Sequence, residues 1–167
     1  IRLEDLSGTN CYCDEPAVWA IREKIREFAL SGIHFIDSGN YHYMTRIWME
    51  KISEPFDLLV FDNHTDMQPP RFGGLMSCGS WIRDTLLGNR MLGQVIIIGP
   101  SNVDRADDNA EDNAEDKAAG IEDIVEKYSD RVIFLSGNEP DIADKITRRL
   151  ASSEKSRGDR KVFISID

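Results

Sequence analysis

Five stretches of this chain, residues 33–37, 56–61, 94–98, 131–135 and 161–166, are apolar runs of strand length. They do not alternate apolar with polar residues, so neither face of such a strand is suited to water. That is the pattern of a parallel sheet covered by helices on both sides. Helical patterns fall between the runs. Val18, Ile21, Ile25, Phe28 and Ala29 predict a helix from Glu15-Pro16 to about Leu30, with Pro16 in its first turn and Ser31-Gly32 as its stop. Met44, Ile47 and Trp48 predict a second over about 43–52. Residues 80–88, 117–128 and 139–150 read as three more, with 152–159 as a charged loop. Pro69-Pro70 with Gly73-Gly74, and Gly99-Pro100, mark loops. The expected fold is a three-layer α/β/α domain with a mainly parallel sheet. A chain of 167 residues is enough for one such domain with a real core.

In sheets of this kind, ligands gather at the carboxyl ends of the strands. The second run, Leu58-Leu59-Val60-Phe61, ends there in Asp62-Asn63-His64-Thr65-Asp66. In extended chain, alternate side chains share a face, so Asp62, His64 and Asp66 would point the same way. Two carboxylates and an imidazole suit a Mn, Fe or Zn type cation better than Ca or Mg, which take oxygen ligands. The plain alternative is a polar loop in which Asp62 caps the next element. His42 follows the first run and Asp167 follows the last. Taken singly, His42 could lie on a helix surface and Asp167 could cap a loop. Neighbouring strands are only about 5 Å apart, however, so loops on one edge can share a site.

Charge and cysteine content narrow the partners. With 30 acidic and 20 basic residues the net charge is -10, which leaves no basic excess for a nucleic-acid backbone. The three cysteines are Cys11, Cys13 and Cys78. An odd number, with no signal peptide and no long apolar segment, leads us to expect a reducing, cytoplasmic setting and no membrane. Cys11-x-Cys13 reads as two ordinary thiols near a turn rather than half a zinc site. Asn63-His64-Thr65 matches a glycosylation sequon, which has no use without a secretory signal. Residues 104–117 are acidic and repeat Asp-Asn-Ala-Glu. They fail the Gly and Glu positions of an EF-hand loop and read as a solvated loop or helix start.

These motifs resemble those of the ureohydrolases, the family of arginase, agmatinase and formiminoglutamase. Ser38-Gly39-Asn40-Tyr41-His42 is similar to the family's Gly-Gly-Asp-His, Asp62-Asn63-His64-Thr65-Asp66 to its Asp-Ala-His-x-Asp, and Ser165-Ile166-Asp167 to the start of its Ser-x-Asp-x-Asp. Order and spacing agree over roughly residues 33–167. The resemblance implies an arginase-like fold and two manganese ions held by His42, Asp62, His64, Asp66 and Asp167, with Asp62 and Asp167 touching both. It further implies a small-molecule substrate, association into oligomers, and hydrolysis of a C–N bond in a guanidino, formimino or related compound by hydroxide that the ions activate. Ser38 and Thr65 are candidate outer-shell donors to the ligands.

Departures from the family matter as much. Asn40 and Tyr41 stand where the family has Gly and Asp. Arginases carry a proton-shuttling His in a Gly-Asn-Leu-His-Gly stretch; here Leu75-Met76-Ser77-Cys78-Gly79 puts Cys78 at that place. Cys78 is thus the candidate catalytic proton carrier, with a small buried residue as the plain reading. A thiol of ordinary pKa about 8.5 is a different tool from an imidazole. Because the chain starts at Ile1 and stops at Asp167 on a strand end, we read it as a fragment lacking the second Asp of the last motif. Three rivals follow. One is a metal-binding homologue without ureohydrolase activity. A nucleotide-binding domain is another, but the chain shows neither Gly-x-Gly-x-x-Gly nor a P-loop. The third is a one-ion zinc deacetylase of related fold.

Overall fold

The structure is a computed structural model that describes residues 1–100, 114–158 and 160–167. Its elements are β1 (Tyr12–Cys13), α1 (Glu15–Ile25), α2 (Met44–Met49), β2 (Phe56–Phe61), β3 (Met76–Ser77), α3 (Trp81–Gly88), β4 (Leu92–Ile98), α4 (Ala114–Lys127), β5 (Val132–Leu135), α5 (Ile142–Arg157) and β6 (Lys161–Ile166). Four strands form one sheet in the order β5-β4-β2-β6, and every pairing in it is parallel. β1 and β3 form a separate antiparallel pair.

Strand parity divides the apolar runs between two layers. Phe56, Leu58 and Val60 of β2, with Val95 and Ile97 of β4, pack against α1, α2, α3 and Ile124 of α4. Leu59, Ile96, Ile98 and Leu135 face the other way, against Ile142, Ile146 and Leu150 of α5. This is the three-layer α/β/α arrangement that continuous apolar strands require. On β6 the second face runs beyond the cover of α5, leaving Val162, Ile164 and Ile166 exposed. Among the described residues, no helix is long and apolar enough to cross a membrane.

Three elements differ from the sequence expectation. Residues 33–37 form no strand; Ile33 and Phe35 are 85% and 95% exposed. An apolar run states a preference for burial, but a strand also needs a partner, and none of the four strands of the sheet pairs with these residues. Helix α1 stops at Ile25 rather than near Leu30 because the Lys51 ammonium caps its end, donating to the carbonyls of Ile25 (2.6 Å) and Phe28 (2.5 Å). Helix α5 runs on to Arg157, through most of the stretch expected as a loop, since charged residues such as Lys and Glu are good helix formers. The acidic repeat lies outside the described residues up to 113 and belongs to α4 from Ala114.

The amino end of the sheet is pinned by a buried polar network. Arg160 donates from Nε to Asp57 Oδ1 at 2.9 Å and to the carbonyl oxygens of Phe56 and Met91. Gln94 donates to both Asp57 oxygens, from its backbone N–H and its side chain, at 3.0 Å each. Three strands thereby meet on one carboxylate. Asp57→Ala should destabilise the protein by about 3–5 kcal/mol, because it strands a buried guanidinium. Lys161→Ala, which breaks the exposed pair with Glu54, should cost less than about 1 kcal/mol. Urea unfolding of both variants checks the contrast; equal midpoints would refute it.

Candidate metal centre

Parallel register builds the site. Phe61 lies opposite Ile98 on one side and Ile166 on the other. The chain is held just past that row: Asp62 N–H donates to Ile98 O, and Asp167 N–H to Phe61 O, each at 2.9 Å. Asp62 and Asp167 therefore leave adjacent strand ends side by side. His42 arrives from the 3-10 turn Gly39–Tyr41, closed by His42 N–H donating to Gly39 O at 3.0 Å.

Gly39 is a steric requirement. A Cβ there would come 2.8 Å from Asp167 Oδ2, so only glycine admits that carboxylate without a shift. Asp66 takes φ +48, a left-handed conformation that Asp tolerates better than most residues. Its carbonyl accepts from the N–H groups of Ile82 and Arg83 in α3, which holds the turn.

The ligand-type atoms fall into two overlapping groups, His42 with Asp62 and Asp66, and Asp62 with His64 and Asp167. Within each group one ligand atom per residue lies within 4.8 Å of the others. Asp62 belongs to both. His42 Nδ1 is 2.9 Å from Asp66 Oδ2, 3.3 Å from Asp62 Oδ2 and 3.8 Å from Asp167 Oδ2. His64 Nδ1 is 3.0 Å from Asp62 Oδ1. The first group is buried, whereas the His64 side chain is 65% exposed. All five residues expected from the sequence are thus brought together. The third histidine, His34, stacks on Trp48 instead.

Held about the ligands are residues the sequence reading did not single out for this task. Ser165 Oγ meets His42 Nε2 at 2.9 Å and Thr45 Oγ1 at 3.2 Å. That leaves Nδ1 turned to the carboxylates. Trp81 Nε1 donates to Asp66 Oδ2. Ser38, expected as a donor, makes no side-chain cap bond at its turn. Ser165 was legible in principle, since it is two residues from Asp167 and shares its strand face. Nothing local marks Trp81.

Cys78 follows β3, outside both ligand groups. Burial pushes its thiol up to about 11, and the charges of Cys11 and Asp66 add to that. It is therefore a protonated thiol at neutral pH.

A cation fits this arrangement on two grounds. His42 Nδ1 and Asp62 Oδ2 are buried and lack a hydrogen-bond partner, although they lie at ion-pair distance from each other and Nδ1 from Asp66. The atoms are near enough to share a charge but not aligned to share a proton. Buried polar atoms left so cost about 1–3 kcal/mol each. The donor set, imidazole nitrogen with carboxylate oxygen, is the second ground.

Electrostatics point the same way. Burial pushes the His42 imidazole down, but Asp62 and Asp66 outweigh it and raise the value from 6.5 to about 9. Burial would raise Asp62, yet His42 and His64 hold it below the usual carboxylate range. Asp66 goes up, through burial first and then through the Asp62 charge.

No family model matches the chain. An uncharacterized protein of Thermotoga maritima is 37% identical over 68 residues, covering 41% of this chain and 27% of that protein. The crystal structure of formimidoylglutamase from Bacillus subtilis aligns over 91% of this chain and 45% of its own, with a TM-score of 0.53 and 16% identity. The chain thus spans less than half the length of either. Identity at that level carries the fold alone, and the fold is the arginase-like α/β/α arrangement.

Two pH effects follow for the metal-free protein. The folded pKa of His42 lies above its ordinary 6.5, so the stability it lends is complete below about 6.5 and is lost as the pH climbs through about 9. Cation binding must displace that proton, so affinity should rise with pH, by about tenfold per unit between 7 and 9. Calorimetric manganese titration in buffers of different ionisation enthalpy should read about one proton released per buried ion at pH 7. Zero release would show that His42 does not ligate.

Proposed function

We propose that this chain is the metal-binding part of a ureohydrolase-type hydrolase that cleaves a C–N bond in a guanidino, formimino or related small molecule. The observation that carries the reading is that Asp62 belongs to two ligand groups at once. A carboxylate with one oxygen toward His42 and the other toward His64 has the disposition a two-ion bridge needs. His42, Asp62 and Asp66 would hold the buried ion, and Asp62, His64 and Asp167 the outer one. The family resemblance implies that Asp167 bridges as well.

Two manganese ions, when bound, would supply the Lewis acidity that brings a water toward ionisation at neutral pH. The chain's own residues do the rest. Ser165 holds the His42 ring, and Trp81 steadies the Asp66 carboxylate. Such partners keep ligands in place and set their basicity. His64, the exposed ligand, stands on the side from which a small substrate would arrive. Cys78 would act as a proton donor rather than an acceptor, given its raised pKa. The reading brings with it a small-molecule substrate and self-association, as the resemblance implies, alongside the cytoplasmic setting expected from the cysteine content.

That same thiol favours a second reading. A group held protonated to about 11 is a poor substitute for the family's imidazole at neutral pH. A metal-binding homologue without turnover would carry the same ligands and tolerate Cys78.

Elemental analysis of the manganese-loaded full chain should give about two ions per chain. Asp62→Ala should lose both; wild-type content in that variant would refute the bridge. Release of urea or ammonia from a panel of guanidino and formimino compounds then separates the readings. Metal without turnover selects the second.

Separately, Ser165→Ala should weaken manganese binding about 10- to 100-fold while leaving stoichiometry intact. Unchanged affinity in a manganese titration would show that the Ser165–His42 contact does not orient the ligand.

A further inference from the structure

We propose that Cys11 and Cys78 form a thiol–disulfide site, in which a low-molecular-weight disulfide converts the pair reversibly into one cross-strand disulfide. Antiparallel β1 and β3 pair Tyr12 with Ser77 and Cys13 with Met76. Cys11 immediately precedes β1 and Cys78 immediately follows β3, and Cys78 N–H donates to Cys11 O at 2.9 Å. Cys11 sits at a left-handed turn, with φ +58, and its carbonyl is bonded directly to the Cys78 N–H, so the two residues are adjacent across the pair. The side chains are also neighbours, since the Cys11 sulfur, through its charge and as acceptor from the Cys78 S–H, helps raise the Cys78 pKa.

Neither thiol is committed elsewhere in the way Cys13 is. Apart from Cys78, Cys11 Sγ has a long 3.9 Å contact with Asn10 Oδ1. Both Cys11 and Cys78 are partly exposed. Cys13 is fully buried, hydrogen-bonded to Tyr43, and pushed up to about 11 by burial. Geometry and access therefore select one pair out of three.

The exchange balances without another reagent. One thiolate attacks a sulfur of the small disulfide, forming a mixed disulfide and releasing one small thiol. The second attacks the protein sulfur of that intermediate and expels the other small thiol. Two protein thiols are oxidised by two electrons, and the small disulfide is reduced to two thiols that carry away both protons. In a reducing compartment such a bond is transient and responsive rather than structural.

Its location gives it a consequence. Cys78 adjoins Gly79, whose carbonyl accepts from Gln68 N–H at 2.9 Å, two residues past Asp66. Closing the bond would fasten the amino-terminal segment to the loops beside the candidate centre. The inference does not depend on the metal reading.

The reduced full chain is incubated with oxidised glutathione without denaturant, alkylated and peptide-mapped. The expected result is the loss of two hydrogens in mass, one Cys11–Cys78 cross-linked peptide, an alkylated Cys13, and full reversal by dithiothreitol. In Cys78→Ser the expected product is a glutathione adduct on Cys11 with no internal bond. Full alkylation of all three thiols after oxidation overturns the proposal. So does an internal bond to Cys13, or one that persists in Cys78→Ser.

Discussion

Parallel pairing of β2 with β6 sets Phe61 opposite Ile166, which brings Asp62 and Asp167 to one point on the carboxyl edge of the sheet. Two carboxylates on neighbouring strand ends repel each other, and Asp66 adds a third acidic group to the same space. Much of the surrounding structure serves to neutralise or hold that charge. His42 approaches all three carboxylates from one nitrogen, and its raised pKa means that a proton stands there when no cation does. Trp81 gives Asp66 a donor from α3, and His64 gives Asp62 both a backbone N–H and a ring nitrogen. The proton on His42 and a cation answer the same electrostatic demand, which is why they exclude each other.

The opposite end of the sheet solves the same difficulty differently. Asp57, also buried, meets a guanidinium and an amide there, and every contact is an aligned hydrogen bond. Both ends hold carboxylates against the same strands. At the amino end the partners are permanent side chains and the result is register. The carboxyl end has His42 Nδ1 and Asp62 Oδ2 close together but unbonded. Fully satisfied and partly satisfied polar clusters thus stand at the two ends of β2. The contrast is the physical reason to assign structure to one and chemistry to the other.

Legibility followed the range of the interactions involved. The parallel sheet and its two covering layers were readable because continuous apolar runs leave few alternatives, and β2, β4, β5 and β6 fall where those runs lie. The candidate ligands Asp62 and Asp167 were readable because they sit immediately beyond β2 and β6, where the register of a parallel sheet gathers them, whereas His42 was expected after a strand that does not form. Ile33-His34-Phe35 was misread as a strand because pairing is a tertiary event that composition does not encode. The early stop of α1 came from Lys51, an interaction across 26 residues. Trp81 reaches Asp66 by a fold-level coincidence of α3 with the turn after β2, and no spacing rule predicts that.

Burial grades the two ligand groups, and the grading has chemical meaning on the proposed reading. The inner group is closed by Trp81 and Ser165, and reaching it requires a proton to leave His42. The outer group includes the exposed His64 and Asp167, so a cation there would meet solvent and exchange more readily. On that reading Asp62 would serve both positions, and charge placed on one side would weaken its hold on the other. For a cation to be held by His42, Asp62 and Asp66 the His42 proton would have to leave, while Asp62 Oδ1 is already oriented by the His64 N–H at 2.8 Å.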